Sequence, residues 1–510
     1  MSRATKIEFG DFQTPLELSR QVCSFVRQAV NHVDAILEPT CGMGSFLVSA
    51  SSIFPEAKLL GWEINPLYVD AAQTALEGLG IGRRAYIQES NFFECRWEQE
   101  LEKISGNLLI IGNLPWVTNA GVSIVGGDNV PDKKNNQGLS GIAAITGKSN
   151  FDISEWMLNR LIQALQGRTA SIAMLCKTGT VRKVLKNNWL GANTLSQSRL
   201  HRIDAKKHFG AAVDACLFTA TVGRSGPMEA EVFDDIDSPK PIEILGVVGR
   251  ELVSDIRSYR QLSHLEGKCA YQWRSGIKHD CADIMELKAA PNESFVNKLG
   301  ETVRLESNLV YPMLKCSDLA NGRLVPDRWM LVPQTRVGEP TSILATTSPL
   351  TWNYLHSHRS HFESRKSSIY QKQVAFAVFG VGDYSFAPWK VAVSGLHHSA
   401  KFCVVGPVNE RPVVFDDTCY FISFQTSQEA RTVASILNSE PCQQFLSSIL
   451  FTDSKRPVTV ELLQRLNLEA MAKELGFEAE WNGLHQPVRG LPASTVSLQR
   501  DLFLDSFHLP

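Results

Sequence analysis

The chain has 510 residues, 44% of them hydrophobic, with 51 basic and 53 acidic side chains and a formal net charge of −2. A single core rarely serves more than about 250 residues, so two or more packed domains are expected and wholesale disorder is excluded. The balanced charge excludes a general electrostatic coat for nucleic acid, so any such surface has to be a local basic patch.

Residues 16–30 (LELSRQVCSFVRQAV) place apolar side chains at helical spacing directly after Thr14-Pro15, a helix start signal. Residues 35–37 predict a short buried strand, 45–52 a helix, 58–62 a strand ending at Glu63, 66–79 a helix, and 85–87 and 108–111 two more strands. Helices over 153–165 and 181–190 and strands over 170–175, 202–204 and 213–220 continue the alternation. The pattern is that of an α/β fold with a mixed, mainly parallel sheet, and it sets Gly42, Gly44, Glu63, Asn91 and Asn113 on one edge, where open sheets bind ligands.

Residues 223–239 are rich in Gly, Ser, Pro and Asp and read as a linker or peripheral loop. The expected domains are therefore 1–225 and 240–510, the second an α+β region of one or two lobes. Its expected strands cover 374–379, 391–393, 402–405 and 419–424, and its helices 427–437 and 443–450. Eleven cysteines lack any C-x-x-C pair, and several (Cys23, Cys176, Cys216, Cys403) lie in apolar stretches. They read as reduced buried thiols, with no metal site implied. The N-terminus has no signal-peptide core and no apolar run reaches about eighteen residues, so a cytoplasmic protein without membrane association is expected.

Two segments carry chemistry. In Glu38-Pro39-Thr40-Cys41-Gly42-Met43-Gly44-Ser45-Phe46, a strand runs into a turn whose glycines lack a Cβ, so the backbone can approach a ligand closely. No G-K-[ST] of a P-loop follows, and the third glycine of a dinucleotide fingerprint is missing. Glu63, at the end of the next strand, is placed to accept hydrogen bonds from two ribose hydroxyls, which suits an adenosine cofactor. The acid at Glu38 suits a positively charged amino group better than a pyrophosphate and favours S-adenosylmethionine. A tight structural turn with a capping acid is the plain alternative.

The second segment is Gly112-Asn113-Leu114-Pro115-Trp116, after the apolar run 108–111. The Asn113 side-chain oxygen and the Leu114 carbonyl can both accept from an exocyclic NH2, Pro115 stiffens the turn, and Trp116 offers a flat face to a base. An amine on an aromatic ring is a poor nucleophile because its lone pair is delocalised. Two acceptors on one side favour the pyramidal, more nucleophilic form, so alignment and electrostatics would carry the catalysis. A capping Asn with a buried Trp is the plain alternative.

Taken in order, these segments resemble those of the N6-adenine DNA methyltransferases of bacterial restriction-modification systems, over residues 10–220. The resemblance implies a Rossmann-like class I methyltransferase domain, a flipped target adenine, and a C-terminal target-recognition region. It implies S-adenosyl-L-methionine as cofactor, double-stranded DNA as substrate, a separate cognate restriction endonuclease, and action as a monomer. Gly10-Asp11-Phe12-Gln13-Thr14-Pro15 is similar to the family's N-terminal cofactor segment, with Thr14 near the methionine carboxylate. Glu38, Thr40, Gly42, Gly44 and Phe46 match its glycine-rich motif, Glu63 its ribose ligand, Asn113 to Trp116 its N-P-P-[YFW] motif, and Phe209 an aromatic that stacks on the flipped base.

Two positions depart from that pattern. Asn91, in Ser90-Asn91-Phe92-Phe93, stands where the family usually has Asp; it can still accept from the cofactor's adenine amine, with Phe92 as apolar neighbour. Leu114 replaces a proline, and Asn-Leu-Pro-[YF] is similar to the form in ribosomal RNA adenine dimethyltransferases, so an RNA substrate stands as an alternative. A protein glutamine amide, or a catalytically silent DNA-binding specificity component, are further alternatives.

On the substrate side, Lys133, Lys134 and Lys148 lie in a long polar insertion after Trp116 that reads as a lid or binding loop over the substrate, with an ordinary solvent-facing loop as the plain alternative. Arg359, Arg365 and Lys366 lie among histidines and aromatics in residues 354–372, a pattern that fits phosphate contacts or the wet side of a helix. Arg274, Lys278, Lys315, Lys390, Lys455 and Arg456 are further candidates for DNA contact.

Overall fold

The structure, a computed structural model, describes residues 13–117 and 152–484. The first compact unit runs to Arg257 and holds one ten-stranded sheet. Its strands are β1 (Ala35–Glu38), β2 (Lys58–Glu63), β3 (Ala85–Glu89), β4 (Leu108–Asn113), β5 (Ala170–Lys177), β6 (Leu195–Ile203), β7 (Ala215–Val222), β8 (Glu229–Phe233), β9 (Glu243–Val248) and β10 (Glu251–Val253). They lie in the order β10-β9-β8-β6-β7-β5-β4-β1-β2-β3. β3, β2, β1, β4 and β5 are mutually parallel, and β7 inserts antiparallel between β5 and β6. This is the expected Rossmann-like class I methyltransferase arrangement, and β1 and β4 form its topological switch point.

Local sequence explains the elements around that point. α1 (Leu16–Ala29) buries Leu18, Val22 and Val26, spaced four apart, against α2 (Ser45–Ile53). β4 is buried along Leu108–Ile111, as a central strand of a sheet covered on both faces must be. α3 (Pro66–Gly78) starts with proline at its first turn, and Asn65 Oδ1 accepts the Leu67 amide at 3.0 Å. Two short elements escape the sequence pattern: α4 (Trp97–Glu102), and the first half of β6, where Gln197 has φ +52° at a register shift between Ser196 and Arg199. α5 (Ile153–Ala164), α6 (Thr178–Leu190) and α7 (Ala205–Phe209) complete the helices near the site.

The turn-rich residues 223–239 are not a linker. They contain β8, which pairs in parallel with β6 and buries Ala230 and Val232, so the sheet continues through β9 and β10 and the unit ends near 257.

The second unit, from Ser258, holds two sheets. β11 (Arg274–Ser275), β17 (Trp389–Ser394), β18 (Cys403–Val405) and β20 (Cys419–Phe424) form one, in the order β11-β20-β17-β18. β12 (Glu286–Ala290), β13 (Ser294–Val296), β14 (Thr302–Val303), β15 (Val310–Leu314), β16 (Arg328–Leu331) and β19 (Val414–Phe415) form the other, in the order β14-β13-β12-β16-β15-β19. The strand expected over 374–379 is absent. Phe376 takes φ +60°, the Ala377 amide turns back to the Val374 carbonyl, and the Val378 amide is satisfied by Gln334 Oε1 at 2.8 Å. The run is apolar because it fills a core, not because it joins a ladder. No disulfide joins the eleven cysteines, and all but Cys95 are buried.

One expected DNA contact is overturned by the fold. Lys390 is fully buried in β17, where its ammonium donates to the Ala387 carbonyl at 2.6 Å and lies 6.0 Å from the Phe421 ring centre. Burial pulls its pKa from an ordinary 10.5 down to about 7. Because the folded value is the lower one, the unfolded chain binds the proton more tightly between these two values, and stability rises with pH across that window. Relative to Lys390→Met, the wild type should gain up to about 1.4 kcal/mol per pH unit between pH 7.5 and 9, read by urea unfolding. A stability gap independent of pH would show that Lys390 does not titrate there.

Candidate active site

β1 ends in Glu38, and the chain turns through Cys41-Gly42-Met43-Gly44 into α2. Gly42 and Gly44 hold φ +51° and +82°, the left-handed region that glycine occupies without strain. A Cβ on Gly42 would come within 2.7 Å of Gln13 Oε1, and one on Gly44 within 3.1 Å of Ala72 Cβ. The Cys41 amide donates to the Trp62 carbonyl at 2.8 Å, tying the turn to the end of β2. Gln13 Oε1 accepts the Met43 amide at 3.2 Å, so Gln13 covers the turn while its neighbour Thr14 is buried. Gln13 was missed as a site residue because an amide side chain has no distinctive signal outside its fold.

Two acids flank this turn. Glu63 is buried at the end of β2; one carboxylate oxygen accepts the Gly42 amide at 2.8 Å and the other the Asn65 amide at 2.9 Å. Glu38 is more enclosed: it lies beneath Gly112, where a Cβ would stand 3.3 Å from Glu38 Cγ. Its Oε2 is buried with no hydrogen-bond partner among the described residues. Burial, reinforced by the Glu63 charge and partly offset by the Leu47 amide, holds its carboxyl well above the usual range. An unsatisfied buried acid beside a glycine turn is a functional-site signal.

Asn113 is the last residue of β4, in register with Leu175 of β5. The Thr40 hydroxyl donates to its carbonyl at 3.4 Å, which joins the two sequence segments directly. Leu114 is buried and Pro115 half-buried. The Trp116 indole N–H donates to the Leu175 carbonyl at 3.4 Å, and its ring meets Phe209 edge-on with centroids 4.9 Å apart. Phe209 ends α7, which Asp204 caps at one end and Gly210, at φ +66°, at the other. The two aromatics expected to hold a base are therefore neighbours.

Other expected cofactor contacts have different surroundings. Phe46 is fully buried in the core and supports the glycine turn from within. Phe92 is buried against Trp97 with ring centroids 4.7 Å apart. Asn91 Oδ1 accepts the Phe93 amide at 3.1 Å and its amide nitrogen donates to Glu94, so it closes a local turn and keeps one lone pair for a ligand. Sequence reading also passed over Lys177, at the end of β5, which pairs with Asp152 at 2.5 Å. The Ile153 amide donates to the Val117 carbonyl at 2.9 Å, so the residues bracketing the polar insertion meet beside Trp116.

Lys133, Lys134 and Lys148 lie outside the described residues. Arg365 is not an open phosphate contact: it donates to the Ala377 and His279 carbonyls at 2.7 and 3.2 Å and stacks on Tyr370 at 3.6 Å. Arg359 pairs with Glu363 one helical turn away, Arg274 lies over the Tyr384 ring, and Lys366 and Lys455 are exposed. Lys278, Lys315 and Arg456 sit in ion pairs.

No protein-family model matches the chain. It is 42% identical over 473 residues to the type II methyltransferase M.NspV of a Nostoc species, an alignment covering 92% of this chain and 98% of that protein. Among solved structures, the type IIL restriction-modification enzyme MmeI in complex with DNA is similar with a TM-score of 0.54 at 12% identity, covering 98% of this chain and 72% of that one. That second likeness speaks for the fold alone. The first, at this identity along nearly the whole of both chains, shows the family: the protein belongs with the type II methyltransferases.

Proposed function

We propose that Asn113, Leu114, Pro115 and Trp116 carry out the family's reaction in this chain, the site-specific transfer of a methyl group from S-adenosylmethionine to adenine N6 in double-stranded DNA. The observation that carries this reading is the convergence at one switch point of Thr40 on the Asn113 carbonyl and of Trp116 on Phe209. The glycine turn, Glu63 and the unsatisfied Glu38 carboxyl fit the cofactor. When bound, it supplies an electrophilic methyl on a positively charged sulfur.

Glu63 would take the ribose hydroxyls and Glu38 would face the positive charge of the methionine portion, with Thr14 and Gln13 at that end. Asn91 would accept the adenine amine. The Asn113 side-chain oxygen and the Leu114 carbonyl accept from the target N6 amine, drawing its lone pair out of ring conjugation. Trp116 and Phe209 hold the flipped base, and Pro115 fixes the turn. The proton leaves after the nitrogen has gained positive charge, so no strong base is needed beforehand. The second unit serves target recognition. A separate restriction endonuclease of the same specificity, monomeric action and a cytoplasmic location complete the proposal; they follow from the role of protecting host DNA.

Asn113→Ala should lower kcat by about two orders of magnitude or more while leaving S-adenosylmethionine affinity within about twofold, measured by label transfer and calorimetry. A surviving rate would remove Asn113 from the reaction, and label appearing in N6-methyladenosine of RNA but not in duplex DNA would overturn the substrate.

Glu38 gives a pH signature. Its carboxyl is held above the ordinary value of 4.5, so it retains a proton above that pH, and a cation bound opposite expels it. Cofactor affinity should therefore rise with pH across this interval and level off once Glu38 is ionised. Glu38→Gln should flatten the profile; an unchanged slope would assign the titration elsewhere.

A further inference from the structure

In the second unit, three carboxylates each hold two cations. Glu286 accepts Lys315 at 2.6 Å and Lys298 at 2.7 Å; Asp318 holds Arg323 at 3.1 Å and Arg328 at 3.7 Å; Asp417 holds Arg456 at 3.2 Å and Lys278 at 3.7 Å. The groups adjoin. Lys315 places its ammonium on Glu286 and its backbone N–H on Asp318 Oδ2 at 2.9 Å. The parallel pairing of β15 with β19 aligns Leu314 with Phe415, so Lys315 and the Asp416-Asp417 pair emerge side by side.

The charge is layered. The Glu286 and Asp318 side chains are 7% and 6% exposed, whereas Lys298 and Arg323 above them are 47% and 62% exposed. Over Asp417, both Lys278 and Arg456 are again the more exposed partners. Other acids are present: Asp280 on Lys278, Asp327 on Arg328, and Asp416, whose carboxyl burial pushes up. The sum over the cluster is therefore near zero; Arg323 and Lys298 face water above their buried carboxylates, and Asp327, 78% exposed beside Arg328, is the acid that faces it with them. His279 lies 3.7 Å from Glu286, and burial holds it down at about 4, so it adds no charge at neutral pH.

One cation would neutralise Glu286, so of Lys298 and Lys315 one is surplus to its stability, whereas Arg328 and Lys278 also face Asp327 and Asp280. Long side chains already pinned by a carboxylate lose less freedom when an anion arrives, which favours binding. The underlying strands supply rigid placement, and lysines and arginines so held neutralise phosphates without reading sequence. We propose that this layered face is where the second unit grips the phosphate backbone of duplex DNA, with Lys298, Lys315, Arg323 and Arg456 as the contacts. It rests on the DNA reading above.

The test is binding of the full-length protein to duplex DNA carrying its methylation site, followed as a function of salt. Lys298→Gln, Arg323→Gln and Arg456→Gln should each reduce the slope of log affinity against log salt by about one, and the triple variant by about three. KM for DNA should rise with kcat and S-adenosylmethionine affinity unchanged, and Lys298→Arg should behave as wild type. An unchanged slope and KM in the triple variant, with methylation intact, would overturn this face alone; wild-type protein that does not methylate duplex DNA would instead overturn the proposed function. If the triple variant does not fold, Arg323→Gln decides by itself, because its side chain is largely in water: a slope equal to wild type overturns the proposal.

Discussion

β1 and β4 are neighbours in the sheet, but their chains leave in opposite directions, β1 toward β2 and β4 toward β5. That topology opens a crevice at their carboxyl ends, and the rest of the site depends on it. It brings two segments some seventy residues apart in sequence close enough for the Thr40 hydroxyl to reach the Asn113 carbonyl. Close approach then dictates composition. Gly112 leaves space for Glu38 beneath it, and Gly42 leaves space for Gln13, so a side chain at either place would displace the group that lines the crevice.

The same crevice concentrates acids where water is excluded. The Glu63 charge raises the cost of ionising Glu38, while Glu63 has both oxygens engaged by backbone amides. Burying a carboxyl without a partner costs stability on the order of 1–3 kcal/mol. A fold keeps such a residue when a ligand bearing positive charge repays that cost. Glu38 and Glu63 thus divide the work: Glu63 fixes the turn, and Glu38 holds an unmet electrostatic demand.

Much of this was legible in the sequence because short-range rules govern it. A strand, a glycine turn and a helix leave local signals, and so does a strand ending in Asn-Leu-Pro-Trp; those elements agree with the structure. What failed was set by tertiary context. Residues 374–379 have strand composition, but the Ala377 and Val378 amides find a turn and a glutamine side chain, and Phe379 makes an isolated bridge to Lys278 in place of a ladder. Lys390 stands beside aromatics, as a DNA contact would, but it points into the sheet core. Residues 223–239 have linker composition, yet β8 finds β6 and extends the sheet. Phe46 and Phe92 matched motif positions, and their rings nonetheless serve packing.

Charge shows most clearly how fold changes the meaning of composition. A chain of net −2 seems a poor partner for a polyanion. Net charge counts groups without regard to depth, whereas a phosphate feels chiefly those within about a Debye length, weighted toward the nearest. Sinking Glu286 and Asp318 beneath Lys298 and Arg323 converts a neutral inventory into a locally positive face without adding a basic residue. Lys298 and Arg323 are isolated charges in sequence, and only the strands and loops that place them over shared carboxylates give them a common direction. A focused face of this kind also limits nonspecific attraction, since the chain as a whole carries a formal net charge of −2. An enzyme that must find one site among many has reason to keep its basic contacts few and fixed, so that contacts to the bases decide where it stays.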